Sequence, residues 1–248
     1  MQTHVRNPIA SLVLAGDNVY VQGESEHFEN ALDKPYRQFV EAGVRILPVL
    51  GNHDVPLDRG RAQLAYLGLG AKRWYKTTLA AGDVELFAID TTLHVTDEFS
   101  YLTPAANAWR IRHAEKQKSW LAESLAASTA RYKVIVGHHP LYSSGSRAGE
   151  RYQLRGEIGD IIDHGNVAAY VAGHQHIYER REPIHGVVHF VTGGGGRDPA
   201  LLGGRGRLPN VHFLENHFTL FTASPAGLEY QAIAIDGSTI DSGIIAPR

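Results

Sequence analysis

Four short polar loops, each opened by a glycine and each placed directly after an apolar run, constrain the fold of this 248-residue chain more than any other feature. The apolar runs are typical of buried β-strands that stop at the glycine. In α/β sheets the carboxyl ends of the strands meet at one edge, so we expect the polar side chains of the loops to lie close together. The loops are Gly16–Tyr20 (Gly-Asp-Asn-Val-Tyr), Gly51–Asp54 (Gly-Asn-His-Asp), Gly137–Pro140 (Gly-His-His-Pro) and Gly173–His176 (Gly-His-Gln-His).

The order of the apolar patterns predicts the fold class. The first two thirds of the chain alternate strand and helix, and the last third holds strands joined by short turns, as in an antiparallel meander. A single α/β (α+β) domain over residues 1–248 reconciles the two parts as a four-layer αββα sandwich, with two mixed β-sheets face to face and helices outside. The predicted strands are Ser11–Ala15, Val44–Leu50, Trp74–Leu79, Val84–Asp90, Lys133–Gly137, Val167–Ala172, Val187–Thr192, Phe218–Ala223, Leu228–Ile235 and Thr239–Ile245. The predicted helices are Phe28–Ala42, Arg61–Leu69, Glu115–Ala127 and Ile158–His164.

Composition excludes several classes of function. The formal net charge of -2 gives no basic footprint for nucleic acid. The absence of cysteine excludes disulfide frameworks and thiolate metal sites. No apolar run reaches the ~18 residues of a membrane span. Met1–Asn7 lack the apolar core of a signal peptide, which leaves the compartment open, and a longer N-terminus would be compatible with an extracytoplasmic location.

The first two loops offer oxygen donors and one histidine. Asp17 follows a glycine and can point outward to bridge two cations, and Tyr20 can turn its phenolate toward the same place. Asn52 offers a neutral amide oxygen, which is a hard donor for a cation. His53 could donate a proton or contact substrate, with Asp54 orienting its ring by accepting the second N–H. The alternative for both loops is an ordinary polar turn.

The last two loops carry paired histidines. His174 and His176 are two residues apart, a spacing that can place one imidazole on each of two neighbouring metal ions. Of His138 and His139 we expect one ligand, because adjacent side chains diverge, and His138 is favoured because it directly follows the glycine. A lone histidine at a strand end is usually structural, but four such loops together favour a two-metal hydrolytic site. Donors of this kind without thiolate favour Fe, Mn or Zn.

The ordered set Gly-Asp-x-x-Tyr, Gly-Asn-His-Asp, Gly-His-x-Pro and Gly-His-x-His resembles the calcineurin-like metallophosphoesterase superfamily. The tyrosine in the first motif makes the chain most similar to the purple acid phosphatase branch, which includes tartrate-resistant acid phosphatase. The resemblance runs from about Leu12 to the C-terminus.

The resemblance implies a complete set of site residues. The implied ligands of one metal ion are Asp17, Asn52, His138 and His174, and those of the other are Asp17, Tyr20, His176 and an aspartate on an earlier strand. The tyrosine would bind ferric iron, with iron, zinc or manganese as the second metal. The catalytic residues would be His53 and Asp54. The implied contact to the phosphate of a small-molecule substrate is His53, and Asn52, His139 and Arg147 are further candidates for substrate binding.

The chain departs from the family pattern in two places. No acidic residue precedes Asp17, so we expect ~20 or more N-terminal residues, with the first-strand aspartate among them, to be missing. Arg147 stands near the place where the resembling phosphatases carry a further histidine, which makes it a candidate phosphate ligand.

These residues lead to one principal function and two alternatives. The principal prediction is a dinuclear phosphomonoesterase, similar to acid phosphatases, that uses a metal-activated hydroxide. One alternative is a phosphodiesterase or nucleotide hydrolase of the same superfamily. The other is a weakly active, single-metal, phosphate-binding domain, because one ligand of the second metal is absent. The physiological substrate and the oligomeric state stay open.

Overall fold

The computed structural model describes residues 9–95, 103–144, 148–197 and 211–248. Within these ranges the strands are β1 Ser11–Leu14, β2 Arg45–Pro48, β3 Tyr75–Leu79, β4 Val84–Ala88, β5 Tyr132–Gly137, β6 Ala169–Ala172, β7 Tyr178–Ile184, β8 Val187–Thr192, β9 Val211–Phe213, β10 His217–Ala223, β11 Leu228–Ala234 and β12 Thr239–Ile245. The α-helices are α1 Lys34–Glu41, α2 Arg61–Tyr66, α3 Pro104–Ala127 and α4 Ala148–His164.

The strands form two facing layers. The larger layer is a seven-stranded sheet in the order β3-β4-β5-β6-β8-β7-β9. Its central strands β4, β5, β6 and β8 run parallel. The flanking strands β3 and β7 pair antiparallel to this central set, and the edge strand β9 pairs antiparallel to β7. The smaller layer consists of two separate pieces, a parallel β1–β2 pair and the antiparallel meander β10–β11–β12 that the turns in the sequence predict.

The two layers bury one apolar core between them. Phe190 of the large sheet contacts Phe221 and Tyr230 of the meander, with ring centroids 5.3 and 5.0 Å apart. The same core includes Val13 and Val49, so the β1–β2 pair lies in the smaller layer beside the meander. Every residue of β5 is buried, because this central strand is covered on both faces.

Helices cover the outer face of each layer. Ile135 of β5 packs against Leu121 of α3 and Ile158 of α4 on the far side of the large sheet. Leu14 of β1 packs against Phe28 and the π-helical turn that leads into α1. The predicted αββα sandwich is therefore confirmed, with the smaller β-layer built from two pieces.

Two helices are longer than the apolar pattern predicts. Helix α3 begins at Pro104, where Thr103 caps it by accepting a hydrogen bond from the Ala106 amide at 3.2 Å. Helix α4 begins at Ala148. The added turns contain few large apolar residues, so their apolar period is weak. Among the described helices, none combines the length and the apolar composition needed to cross a membrane.

Candidate metal centre

The four glycine-led loops meet between the two β-layers. Two of them follow β1 and β2 in the smaller layer, and the other two follow β5 and β6 in the large sheet. The layers are joined here by His138, whose Nδ1–H donates to the Ala15 carbonyl at 2.8 Å. Within the smaller layer the His53 amide donates to Asp17 Oδ1 at 2.9 Å. The predicted clustering of these strand ends is confirmed by this arrangement.

Backbone conformation allows the loops to touch. A Cβ atom on Gly51 would overlap the backbone nitrogen and a carboxylate oxygen of Asp17, so only glycine fits between these two loops. Asp17 and His174 themselves adopt positive φ angles of 54° and 64°. Such conformations are uncommon for residues with a side chain and are concentrated at functional sites. Both residues are among the predicted ligands.

Four potential ligand atoms converge in the first half of the site. Asn52 Oδ1 lies 3.0 Å from His138 Nε2 and 3.1 Å from His174 Nδ1. The two ring nitrogens are 3.1 Å apart, and Asp17 Oδ1 lies 3.2 Å from His138 Nε2. Because the Nδ1–H of His138 is used by Ala15, the neutral ring presents a bare Nε2 lone pair to the other potential ligand atoms. Oxygen and ring-nitrogen atoms gathered this closely fit a shared cation.

The electrostatics of these residues also favour a positive charge at this point. Burial opposes ionisation of Asp17, but the charge and hydrogen bond of His138 hold the pKa of Asp17 well below its ordinary value. Burial likewise opposes charging of His138, yet Asp17 raises the pKa of the imidazole above its usual range. A proton on His138 and a metal ion would therefore compete for the same position, as expected where metal binding releases protons.

The second half of the site contains Asp17, Tyr20 and His176. The Tyr20 hydroxyl donates to Asp17 Oδ2 at 3.2 Å and lies 3.3 Å from His176 Nε2. Asp17 thus directs one carboxylate oxygen to each half of the site, which is the geometry of a bridging ligand. Burial and the neighbouring Asp17 carboxylate raise the pKa of Tyr20, so without a metal ion the phenol keeps its proton.

One residue at the site was not predicted from the sequence. The guanidinium carbon of Arg197 lies 4.1 Å from the centroid of the Tyr20 ring, and its positive charge partly opposes the rise in the pKa of Tyr20. Arg197 directly follows the Gly193–Gly196 run, which itself follows β8. The sequence signal that could have identified Arg197 is its position, because the Gly193–Gly196 run is a fifth glycine-led loop at the end of a parallel strand.

The structure places His53 at the mouth of the site and corrects the role predicted for Asp54. His53 is half-buried, its ring centroid is 4.6 Å from that of Tyr20, and its Nδ1–H donates to the Val21 carbonyl at 2.6 Å. The predicted orienting contact from Asp54 is therefore wrong, because Val21 makes it. The Asp54 carboxylate instead accepts from the Gly51 and Val19 amides at 2.8 and 3.0 Å, and burial raises the pKa of Asp54 to about 6.

The remaining predicted residues are His139 and Arg147. His139 is fully buried, its Nδ1 lies 2.7 Å from Thr91 Oγ1, and its ring centroid is 4.5 Å from that of His174. Ligand-type nitrogens of His138, His139 and His174 all lie within 4.8 Å of one another. The burial of His139 favours support of the His174 ring over direct substrate contact. Arg147 lies outside the described residues.

Comparison with known proteins finds the phosphoesterase family whose motifs the four loops resemble. The family model for the calcineurin-like phosphoesterases matches residues 2–178. Purple acid phosphatase 17 of Arabidopsis thaliana is 30% identical over 197 residues, and human tartrate-resistant acid phosphatase type 5 is 27% identical over 195 residues. The matches cover 75% and 73% of this chain but 58% and 59% of those proteins, so the chain spans about three fifths of the relatives' length.

Solved structures of low sequence identity share the fold. GAP50, the anchor in the inner membrane complex of Plasmodium, superposes with a TM-score of 0.74 at 19% identity, covering 97% of this chain and 79% of that one. The purple acid phosphatase PPD1 from yellow lupin seeds superposes with a TM-score of 0.68 at 19% identity, covering 96% and 46%. With the family match extending over most of its length, this chain belongs to the calcineurin-like phosphoesterase family.

Proposed function

We propose that this chain is a metal-dependent phosphoester hydrolase that acts on phosphomonoesters at a two-cation centre. The observation that carries the proposal is the convergence of Asn52 Oδ1, His138 Nε2 and His174 Nδ1 within 3.0–3.1 Å of one another. Membership of the phosphoesterase family supports the reaction, and the named purple and tartrate-resistant acid phosphatases support the monoester class.

The donors present fit the proposed metals. The first half of the site offers a carboxylate, an amide and two imidazoles, and the second offers a carboxylate, a phenol and an imidazole. Oxygen and nitrogen donors of this kind suit iron, zinc or manganese, and a phenol in the second half favours ferric iron. When bound, such ions supply Lewis-acid activation of a water and of the phosphoryl group.

The protein's own residues would orient the substrate and move a proton. His53 stands at the mouth, and because its Nδ1–H is held by Val21, Nε2 is the atom free to exchange a proton with the leaving oxygen. Asp54 is a positioning residue that ties the first loop to the second through Val19 and Gly51. His139, held by Thr91, supports the ring of His174.

Hydrolysis assays on the zinc- or iron-loaded protein test the proposal. We expect an aryl phosphomonoester to be hydrolysed with a higher kcat/KM than the matching aryl phosphodiester, and His174→Ala to abolish hydrolysis. The variant Arg37→Ala, which changes an exposed residue on α1, serves as the control. A higher kcat/KM for the diester would contradict the phosphomonoesterase proposal and favour the alternative phosphodiesterase.

Metal analysis tests the number of ions. Two metal ions per chain, with a visible tyrosinate-to-iron absorption in the iron form, would support the dinuclear centre. One ion per chain, with the absorption missing, would favour the single-metal alternative, in which Asp17, Asn52, His138 and His174 hold the metal. Elemental analysis of the wild type beside Tyr20→Phe assigns the second ion, because this variant removes a ligand of that half alone.

A further inference from the structure

Arg197 brings a guanidinium group to a site whose other side chains are a carboxylate, an amide, a phenol and imidazoles. The guanidinium carbon lies 4.1 Å from the centroid of the Tyr20 ring. Tyr20 in turn contacts both Asp17 and His176. Tyr20 therefore connects Arg197 to two of the predicted metal ligands.

The loop that carries Arg197 is fixed to the meander. The side-chain amide of Asn216 donates to the Arg197 carbonyl at 2.9 Å and to the Gly194 carbonyl at 3.1 Å. The backbone amide of His217 donates to the Gly194 carbonyl at 3.1 Å. These hydrogen bonds attach the glycine run, at Gly194 and at Arg197 directly after it, to residues at the start of β10. The backbone at Arg197 therefore has a defined position.

The chemistry of the guanidinium suits a phosphoryl group. Arginine presents five N–H donors in a planar fork, and stacking on the face of the Tyr20 ring leaves the edge of this fork open to a ligand. Arg197 is exposed at the site, which leaves its donors facing the solvent that a ligand would replace. Paired N–H groups of this geometry bind phosphate oxygens bidentately. Tyr20 also contacts His53, so Arg197 and the proposed proton donor flank the same ring.

We propose that Arg197 binds a phosphoryl oxygen of the substrate on the Tyr20 side of the centre, an inference that rests on the proposed function of the same site. Arg197 thereby completes the phosphate pocket from a fifth strand-end loop. The competing explanation is a purely structural one, in which the guanidinium stacks on Tyr20 and only stabilises that loop.

Phosphate binding separates the two explanations. The dissociation constant of inorganic phosphate is measured by calorimetry on the zinc-loaded protein, with the metal content of each sample determined in parallel. We expect Arg197→Met to weaken phosphate binding tenfold or more with unchanged metal content, and Arg197→Lys to retain part of the affinity. In an aryl phosphate assay Arg197→Met should raise KM more than it lowers kcat. The control Arg37→Met removes an exposed arginine on α1 and should match the wild type.

Two results would overturn the inference. One is phosphate affinity of Arg197→Met within twofold of the wild type. The other is a loss of bound metal that accompanies the loss of affinity, since it would mean that Arg197 supports the Tyr20 loop. Because phosphate binding is measured without turnover, a zinc-loaded wild type that binds phosphate through Arg197 but hydrolyses no ester would contradict the proposed function and leave this inference standing.

Discussion

At the scale of single residues, Asp54 connects two loops of the proposed metal centre through one buried carboxylate. Its oxygens accept from the Gly51 amide at 2.8 Å, the Val19 amide at 3.0 Å and the Asn18 amide at 3.2 Å. A carboxylate can accept all of these hydrogen bonds, whereas an asparagine in the same place offers one acceptor oxygen and turns an NH₂ group toward a backbone donor. The carboxylate is therefore needed to hold the two loops in their observed relative position.

We expect Asp54→Asn to destabilise the protein by roughly 1–3 kcal/mol, because a buried donor loses its acceptor. Metal affinity should fall with it, since the bonds from Asp54 position the loops that carry Asp17 and Asn52. Urea denaturation and a metal titration measure the two effects. The exposed Asp83→Asn makes the same chemical change as a control. Unchanged stability with normal metal affinity in Asp54→Asn would refute this role.

The sequence predicted which loop side chains converge better than it predicted the contacts of their supporting residues. Asp17, Asn52 and His174 could be found because glycine after an apolar run marks a strand end, and strand ends face the site. The partners of Asp54 depend on how two loops, 36 residues apart, fold against each other. Arg197 was missed for a similar reason, since its contact with Tyr20 joins residues from opposite layers of the sandwich.

At the scale of secondary-structure elements, Arg73 fastens the loop after β2 to the end of β4. Its Nε and Nη2 atoms lie 2.7 and 2.6 Å from Asp90 Oδ2, and both side chains are buried. The Nη1 of Arg73 also donates to the carbonyl of Arg59, which follows the Gly51–Asp54 loop. The indole of Trp109 on α3 covers this pair, with Arg73 5.4 Å and Arg59 4.6 Å from its ring centroid.

Arg73→Met should destabilise the fold by about 3–5 kcal/mol, because Asp90 is left buried without its partner charge. The double variant Arg73→Met with Asp90→Asn removes the uncompensated charge and should recover part of the loss. Chemical denaturation of the wild type, both single variants and the double variant gives the coupling energy. Additive losses in the double variant would mean that the ion pair contributes no coupling.

Elements were predicted well where burial follows a simple period and missed where charged residues pair within the sheet. All residues of β5 and β6 are buried, and both strands were predicted from their apolar runs. Strand β7 was missed because it carries Glu179, Arg180 and Arg181 in succession. In the structure Arg180 pairs with Asp241 of β12, and Arg181 pairs with Glu179, both at 2.7 Å. Such pairing is invisible to a hydrophobicity pattern.

At the scale of the whole molecule, the proposed metal centre spans the two β-layers. Asp17 and Asn52 follow strands of the smaller layer, and His138 and His174 follow strands of the large sheet. Among the described strands, β1 and β2 pair only with each other, and a two-stranded sheet has little stability of its own. A cation held by all four residues would therefore cross-link the β1–β2 pair to the large sheet.

This arrangement predicts that metal binding stabilises the fold and that the gain is concentrated in the smaller layer. Ligand at a thousand times its dissociation constant should add about 4 kcal/mol, and melting temperature should rise with zinc concentration. His174→Ala should lose this increment, while the exposed His27→Ala should keep it. Hydrogen exchange should show the largest metal-dependent protection at the β1 and β2 amides, because these strands gain the attachment they otherwise lack. Protection that rises equally in all strands, or a full thermal increment in His174→Ala, would mean that the metal does not join the layers.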